Sequence, residues 1–271
     1  MEKIWLKSYP SGVPADIDID HIPSLVALFE KACKTFADKV AYISMGREIT
    51  YRQLDAEATE FAGWLQAKGM KKRDRVALTM PNILQYPVAL FGTLRAGCVV
   101  VNCNPLYTPR ELEHQLKDSG ATAIVIVENF ANTLEQVIAH TAIKHVVVTS
   151  MGEKLGGLKG AIVNFVVRRV KKMVPAWHVP GAISFKAALA QGRKNGFKPV
   201  ALAQDDLAFL QYTGGTTGVS KGAMLTHANI ASNVTQAYSW IRPVVREGEK
   251  FIITALPLYH IFALTANCLT F

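Results

Sequence analysis

Two hydrophobic patterns alternate along the first 150 residues. Short runs rich in β-branched residues predict buried strands, at 75–80, 98–102, 123–127 and 145–149. Apolar residues that recur every three or four positions predict amphipathic helices, at 25–36, 54–65, 83–95, 109–119 and 130–139. A hairpin is predicted over 40–51. Strands that alternate with helices in this way predict an α/β fold, with layered sheets and flanking helices around buried parallel strands.

Local signals mark the ends of several helices. Thr50 with Gln53, and Thr108 with Glu111, have the spacing of a helix capping box. Gly120 follows the second of these helices, and glycine is the residue that most readily ends one.

The second half of the chain resumes the α/β pattern. A strand at 207–212 leads into a loop rich in Gly and Thr, a short strand at 223–225 and a helix capped by Thr226. A further strand is predicted at 251–256. No repeat or long Ser/Gly linker divides the chain.

The final 21 residues, 251–271, carry no formal charge and have the length of a membrane span. Pro257, His260 and Asn267 argue against a span and favour a strand, a loop and the start of a buried helix. The chain stops inside an apolar run without a capping or stop signal, so the sequence predicts a truncated protein. We expect the surface exposed by truncation to lower solubility.

Composition narrows the class of protein. The 271 residues are 50% hydrophobic and 19% charged, which excludes a disordered chain and allows one large domain or two ordinary ones. The four cysteines lack the spacing of a zinc site or a disulfide framework, and the N-terminus lacks a signal-peptide segment. These features predict a cytoplasmic protein.

The net charge of +9 belongs to one segment of the chain. Residues 154–204 contain ten basic residues and no acidic one, whereas the other 220 residues carry 20 basic and 21 acidic groups. Within that segment, apolar residues at helical spacing predict an amphipathic helix over 154–172. Its C-terminal end carries four cations, Arg168, Arg169, Lys171 and Lys172.

A basic amphipathic helix is typical of docking on an anionic membrane, which would make the protein a peripheral one on the inner face of the cytoplasmic membrane. Two other interpretations stay open. The helix could be an ordinary packed helix with a solvated basic face, or its positive field could steer a nucleotide or coenzyme A. Nucleic acid is disfavoured as a partner, because no aromatic platform or recognition motif accompanies the charge.

The loop that follows the strand at 207–212 carries the strongest chemical signal. Its glycines allow the backbone amides to converge on phosphate oxygens, its hydroxyls add donors, and Lys221 adds a cation. Thr213 could also reach a phosphate-bound Mg²⁺. The candidate phosphate-binding residues are Tyr212, Thr213, Gly214, Gly215, Thr216, Thr217, Gly218, Val219, Ser220, Lys221 and Gly222. The alternative is a surface loop without a ligand. It is not a Walker A loop, since Ser220 precedes and Gly222 follows the lysine.

This loop, YTGGTTGVSKG, resembles the signature YTSGTTGxPKG of adenylate-forming acyl-CoA synthetases, with Gly214 in place of the usual Ser and Ser220 in place of the common Pro. The segment LPLYH at 256–260 is similar to the second motif of that family, LPLFH. The resemblance covers nearly the whole chain. It is greatest to bacterial long-chain fatty-acid–CoA ligases, in the stretches PNILQYPVALFG, NPLYTPRELEHQLKDSGA and ALPLYHIFALT.

The resemblance implies a two-step reaction that uses ATP, Mg²⁺ and coenzyme A. A fatty carboxylate attacks the α-phosphate of ATP to give an acyl-adenylate and pyrophosphate, and the thiol of coenzyme A then displaces AMP. The loop would hold the β- and γ-phosphates. His260 would lie near the acyl carboxylate and the α-phosphate as the catalytic residue; the alternative is a hydrogen-bonded core histidine.

The resemblance also implies that residues 1–271 are an incomplete AMP-binding N-terminal domain. Residues 1–150 would form a first α/β part, 151–204 a basic amphipathic insert, and 205–271 the start of a second α/β part that carries the loop. The later motifs of the family are absent from the sequence, namely the glutamate that binds Mg²⁺, the aspartate that holds ribose and the lysine of the C-terminal domain. We expect this chain alone to be inactive in adenylation and thioester formation.

Two alternatives share the loop. An aryl-CoA ligase or a peptide-synthetase adenylation domain uses the same chemistry on another acid. A noncatalytic nucleotide- or lipid-binding module would use the loop without chemistry.

Overall fold

The computed structural model describes residues 3–213, 220–249 and 251–271. The strands in these residues are β1 (Val40–Ser44), β2 (Arg47–Thr50), β3 (Arg75–Thr79), β4 (Val99–Asn102), β5 (Ala123–Val127), β6 (His145–Thr149), β7 (Ile183–Ser184), β8 (Leu207–Thr213) and β9 (Lys221–Thr226). The helices are α1 (Leu25–Thr35), α2 (Tyr51–Ala67), α3 (Gln85–Arg95), α4 (Pro109–Ser119), α5 (Ala131–Glu135), α6 (Gly157–Phe165), α7 (Phe185–Asn195), α8 (His227–Ile241) and α9 (Ile261–Ala263).

Seven of the strands form one mixed sheet in the order β7-β6-β5-β3-β4-β8-β9. All neighbours in it are parallel except β8 and β9, which pair antiparallel. Strands β1 and β2 form the predicted hairpin outside this sheet. Because β3, β4, β5 and β8 run in the same direction, the loops that follow them emerge at one edge, which we call the carboxyl edge.

Side chains of the parallel strands alternate between two apolar layers. Val76 and Leu78 of β3 belong to a layer that includes residues of α1, α2, α3, α7 and α8. Ala77, between them, belongs to the opposite layer, with residues of α4 and α5. Helices therefore cover both faces of the sheet, which confirms the predicted α/β architecture.

The predicted capping boxes and the glycine that ends α4 are also confirmed. Thr50 with Gln53 and Thr108 with Glu111 form reciprocal capping boxes at the starts of α2 and α4. Gly120 ends α4 with a φ of 61°, a left-handed conformation that costs glycine little.

Three predicted elements differ from the structure. The helix predicted at 130–139 is broken, since α5 is flanked by 3₁₀ turns at Glu128–Phe130 and Ile138–His140. The basic helix begins only at residue 157, because Gly156 has a φ of 78°, and it ends as a π-helical turn over Val166–Val170. The strand predicted at 251–256 is wrong: these residues form no strand. No strand among the described residues pairs with them through ladder hydrogen bonds.

Helix α7 was not predicted, and it packs very closely on α2. A Cβ built on Gly192 of α7 would lie 1.7 Å from the carbonyl oxygen of Glu60, and one on Gly63 of α2 would lie 2.5 Å from the oxygen of Gly196. Glycine at 192 lets the two helix backbones approach to a distance that any side chain would prevent.

Candidate active site

The two ends of the candidate phosphate loop lie side by side at the carboxyl edge. Strand β8 ends at Thr213 and β9 begins at Lys221, and these two residues are paired across the antiparallel ladder. Their side chains are exposed. The candidate residues Gly214, Gly215, Thr216, Thr217, Gly218 and Val219 lie outside the described residues. Thr213 and Lys221 thus lie next to each other at the two ends of the loop, with both side chains open to solvent.

Tyr212 supports the base of the loop. Its hydroxyl donates a hydrogen bond of 2.5 Å to Oδ2 of Asp118 on α4. Burial, followed by this bond to a carboxylate, holds the pKa of Tyr212 well above its usual value, so the phenol stays protonated. A Cβ on Gly222 would lie 2.9 Å from the Tyr212 ring, so glycine at 222 makes room for that ring.

Ser220 closes the base of the loop from the other side. Its Oγ donates to the carbonyl oxygen of Thr213 at 3.1 Å. Nε2 of His114 on α4 lies 3.0 Å from the carbonyl oxygen of Ser220. Sequence reasoning missed both His114 and Asp118, although their spacing of four residues places them on the same face of α4.

His260 lies directly before α9 with an exposed side chain. It is therefore not a core histidine. Its Nδ1 accepts a hydrogen bond of 3.3 Å from the amide of Phe262. In a neutral ring that acceptor leaves the proton on Nε2, which is then available to donate to a ligand oxygen.

A hydrogen bond from a buried side chain to the backbone connects the base of the loop at 212–222 with the LPLYH segment. Nε2 of Gln211, two residues before Thr213 on β8, donates to the carbonyl oxygen of Tyr259 at 2.9 Å. Tyr259 directly precedes His260. The fold therefore brings the end of the phosphate loop and the LPLYH segment to the same edge of the sheet, although they are far apart in sequence.

The basic helix presents its larger apolar side chains to solvent. Leu158, Ile162, Phe165, Val170 and Met173 are 52–77% exposed. The first four, spaced by four, three and five residues, lie close to one helix face, because the π-helical turn adds a residue between 165 and 170. Met173 follows the end of this helix. The opposite side of α6 is held by small and polar groups: Gly160 is buried, and Asn164 accepts from the amide of Gly152 at 2.8 Å.

The four candidate cations on this segment differ in their surroundings. Arg168 forms an ion pair of 2.8 Å with Glu128, whose side chain is buried. Arg169, Lys171 and Lys172 are exposed and form no ion pair with the described residues. Arg168 is thus partly engaged in holding α6 to the body of the protein.

Among the described residues, no group of three or more His, Cys, Asp or Glu side chains could hold a metal ion. No helix in the same part of the chain is long and apolar enough to cross a membrane.

Comparison with known proteins identifies the family. A family model described as AMP-binding enzyme matches residues 29–271. The long-chain-fatty-acid–CoA ligase of Salmonella typhimurium is 56% identical over 272 residues, which cover 100% of this chain and 48% of that protein.

Solved structures share the fold. A long-chain-fatty-acid–CoA ligase from Archaeoglobus fulgidus gives a TM-score of 0.73 at 24% identity, covering 97% of this chain and 48% of that one. ATP-bound MatB from Rhodopseudomonas palustris gives 0.69 at 28% identity, covering 91% and 43%.

The chain spans about half the length of the curated relatives it matches. The family match begins at residue 29 and includes both motif segments, the loop at 212–222 and LPLYH at 256–260. It therefore confirms the resemblance inferred from those segments. The chain belongs to the family of AMP-binding enzymes.

Proposed function

We propose that this chain is the nucleotide-binding half of an ATP-dependent long-chain-fatty-acid–CoA ligase. The observation that carries this proposal is the hydrogen bond from Gln211 to Tyr259, because it brings the phosphate loop and His260 to one edge of the sheet. The Salmonella typhimurium ligase, 56% identical over this whole chain, supports a long-chain fatty acid as the substrate.

In the first step, a carboxylate oxygen of the fatty acid forms a bond to the α-phosphorus of ATP, and the bond from that phosphorus to the bridging oxygen breaks to release pyrophosphate. Lys221 and the hydroxyl of Thr213 hold the leaving phosphates at the ends of the loop. Nε2 of His260 donates a hydrogen bond toward the reacting carboxylate or α-phosphate oxygens. Fixed donors of this kind stabilise the charge that develops in a phosphoryl-type transition state.

In the second step, the thiol sulfur of coenzyme A attacks the acyl carbonyl carbon, AMP leaves, and the thiol proton is released. Mg²⁺ would arrive with ATP and neutralise its phosphates. The described residues fit a metal that ATP carries in. Thr213 offers it one exposed hydroxyl, and no cluster of carboxylates among the described residues forms a separate metal site.

The test is fatty-acid-dependent exchange of pyrophosphate into ATP by the full-length protein that contains this chain. We expect exchange with long-chain acids, and a fall of roughly 100-fold to a rate that is still measurable in His260→Ala. Equal or better exchange with aryl acids or amino acids would instead favour an aryl-CoA ligase or a peptide-synthetase adenylation domain. ATP binding without any exchange would favour a noncatalytic module.

The 271-residue chain itself provides the second arm of this test. We expect it to give no exchange, because the later motifs of the family are not in it. Exchange by the purified chain would overturn this expectation.

We also propose that α6 docks on an anionic bilayer, where a long-chain fatty acid would be available. Two features support a membrane as the partner. The exposed apolar face formed by Leu158, Ile162 and Phe165 would enter the interface. Three exposed cations adjoin it, and each basic residue near an anionic surface contributes ~1 kcal/mol. On this proposal the protein is cytoplasmic and peripheral on the membrane.

Vesicle sedimentation tests this docking, with vesicles of phosphatidylcholine alone or mixed equally with phosphatidylglycerol. We expect binding only to the mixed vesicles, weakened roughly 100-fold by Arg169/Lys171/Lys172→Gln. The matched control is Lys186/Lys194/Lys198→Gln, which removes three exposed cations from the same basic segment at another place. Equal binding by both variants, or binding indifferent to lipid charge, would contradict docking through α6.

A further inference from the structure

Asn82 holds the backbone that leads to His260 with three hydrogen bonds from one side chain. It lies in the loop after β3, at the carboxyl edge. Its Nδ2 donates to the carbonyl oxygens of Thr254 and Leu256 at 3.1 and 2.9 Å. Its Oδ1 accepts from the amide of Leu258 at 2.8 Å. These three hydrogen bonds take the place of the backbone hydrogen bonds that a strand at 251–256 would have made to a neighbouring strand.

Two buried side chains hold the next two residues. The hydroxyl of Tyr86, on α3, lies 2.9 Å from the carbonyl oxygen of Leu258. Gln211, on β8, donates to the carbonyl oxygen of Tyr259. Tyr86 and Gln211 are at most 5% exposed, so water does not replace these bonds. A buried carbonyl or amide that loses its partner costs about 1–3 kcal/mol, which favours one arrangement of the segment strongly.

Asn102 joins these two side chains to each other. Its Oδ1 lies 2.8 Å from the Tyr86 hydroxyl, whose single proton is shared between this oxygen and the carbonyl oxygen of Leu258. Its Nδ2 donates to Oε1 of Gln211 at 3.2 Å. The orientation of the Gln211 amide is therefore fixed, with Nε2 directed at Tyr259.

Among the large apolar side chains of 251–258, Leu258 is the one that packs into the core. Phe251 and Ile253 are 74% and 90% exposed, and Leu256 is also exposed. Side-chain hydrogen bonds from three separate elements of the sheet edge, together with the buried side chain of Leu258, hold residues 254–259. His260 follows them directly, so its position relative to Thr213 depends on these bonds.

We propose that Asn82, Tyr86 and Gln211 are positioning residues, which act on the reaction by fixing the backbone of 254–259 and so the distance of His260 from the phosphate loop. This inference rests on the proposed function. None of the three needs to touch the substrate. Gln211 has a particular part, because it lies on the strand that ends at Thr213 and therefore links the two motifs directly.

The first test uses Gln211→Met and Asn82→Ala in the full-length protein. Misplacement of a reacting group by about 1 Å can cost roughly 100-fold in rate. We expect kcat for adenylation to fall roughly 10- to 100-fold and KM for ATP to stay within about twofold, because Lys221 and Thr213 remain in place. The matched control is Gln204→Met, which removes an amide that donates to two backbone carbonyl oxygens, of Ile19 and Ile22, away from this edge.

A double-mutant cycle separates positioning from general stability. If Gln211 acts through His260, then Gln211→Met costs little further rate in a His260→Ala background. Additive losses would overturn the inference, since they would show that Gln211 acts independently of His260. A rise in KM for ATP with kcat unchanged would do the same.

Amide hydrogen exchange gives a readout that does not depend on activity. We expect the amides of Leu258 and His260 to exchange faster in Gln211→Met and Asn82→Ala, and at the wild-type rate in Gln204→Met. Unchanged exchange in the first two variants contradicts the inference even if the protein is an active ligase. Absence of fatty-acid-dependent exchange of pyrophosphate in the wild-type full-length protein contradicts the proposed function instead.

Discussion

Two regions of this molecule use different means to fix their structure. In the parallel strands β3–β6 and the helices α2 and α3, nearly every apolar side chain is buried against the sheet. In the described part of residues 220–271, large apolar side chains are exposed: Met224, Trp240, Val244, Phe251, Ile252, Ile253, Leu256, Phe262 and Phe271. Polar contacts from the edge of the sheet hold residues 254–259 of this second region.

Because the two regions are packed differently, we expect substitutions in them to affect different properties of the protein. The first region is a closed apolar core, so its substitutions act on the free energy of unfolding. The second region carries Lys221 and His260, and its substitutions act on where those groups lie. Substitutions in each region can show whether the two effects are as separable as the packing indicates.

The largest effect is expected from Lys221→Ala in the full-length protein. Loss of one fixed donor for the phosphates lowers adenylation roughly 100- to 1,000-fold. Because the Lys221 side chain is exposed, the free energy of unfolding should change by less than about 0.5 kcal/mol. Pyrophosphate exchange and urea unfolding on the same samples measure both quantities, and a large loss of stability would break the comparison.

The reverse result is expected from Gly192→Ala, at the contact between α7 and α2. The added methyl group would overlap the Glu60 carbonyl, so the helices must separate at a cost of about 3 kcal/mol or more in unfolding free energy. Urea unfolding measures it. Ala190→Gly on the exposed side of α7 is the control for helix propensity and should cost only about 1 kcal/mol.

The attachment of α8 should depend on pH. Burial lowers the pKa of His227 to about 4, since the ring is enclosed where its Nδ1 accepts from the amide of Leu25. The unfolded chain, with an ordinary histidine pKa near 6.5, then binds the proton more readily than the folded one. The contribution of His227 to the free energy of unfolding is therefore fully present above about pH 6.5. It falls as the pH drops toward 4, by about 2 kcal/mol at pH 5.

Unfolding by urea across that pH range measures this loss. His227→Asn keeps an acceptor for the Leu25 amide but does not titrate, so its stability should depend less on pH. An equally steep dependence in this variant would assign the titration to other groups.

The smallest effect is expected from Ile253→Thr in the 271-residue chain. Ile253 is 90% exposed, so unfolding free energy should change by less than about 0.5 kcal/mol. The removal of exposed apolar surface should nevertheless reduce aggregation, which light scattering records. A loss above 1 kcal/mol would show that this part of the second region is packed after all.

Much of the first region could be predicted because its signals are local. The β-branched runs became β3–β6, and the capping boxes of Thr50 and Thr108 formed where their spacing placed them. The second region resisted the same reasoning. Residues 251–256 have the composition of a strand, but a strand exists only beside another, and sequence pattern does not say which neighbour is present.

Some residues of the candidate site could be predicted from the sequence and others could not. The loop composition and LPLYH indicated Lys221 and His260, and placed them in one family, without any knowledge of the fold. His114 and Asp118 were missed, because a histidine and an aspartate on an amphipathic helix carry no signal until β8 and β9 are known to lie beside it.

The sequence by itself determined the alternation of helices and strands, the ends of several helices and the family, since each depends on residues close together in the chain. Only the tertiary structure decided which face of α6 meets solvent and how α2 and α7 touch. It also decided what holds His260. The hydrogen bond between Asn82 and Leu258 joins residues 176 positions apart. Contacts of that separation depend on how the whole chain packs, and no local pattern contains them.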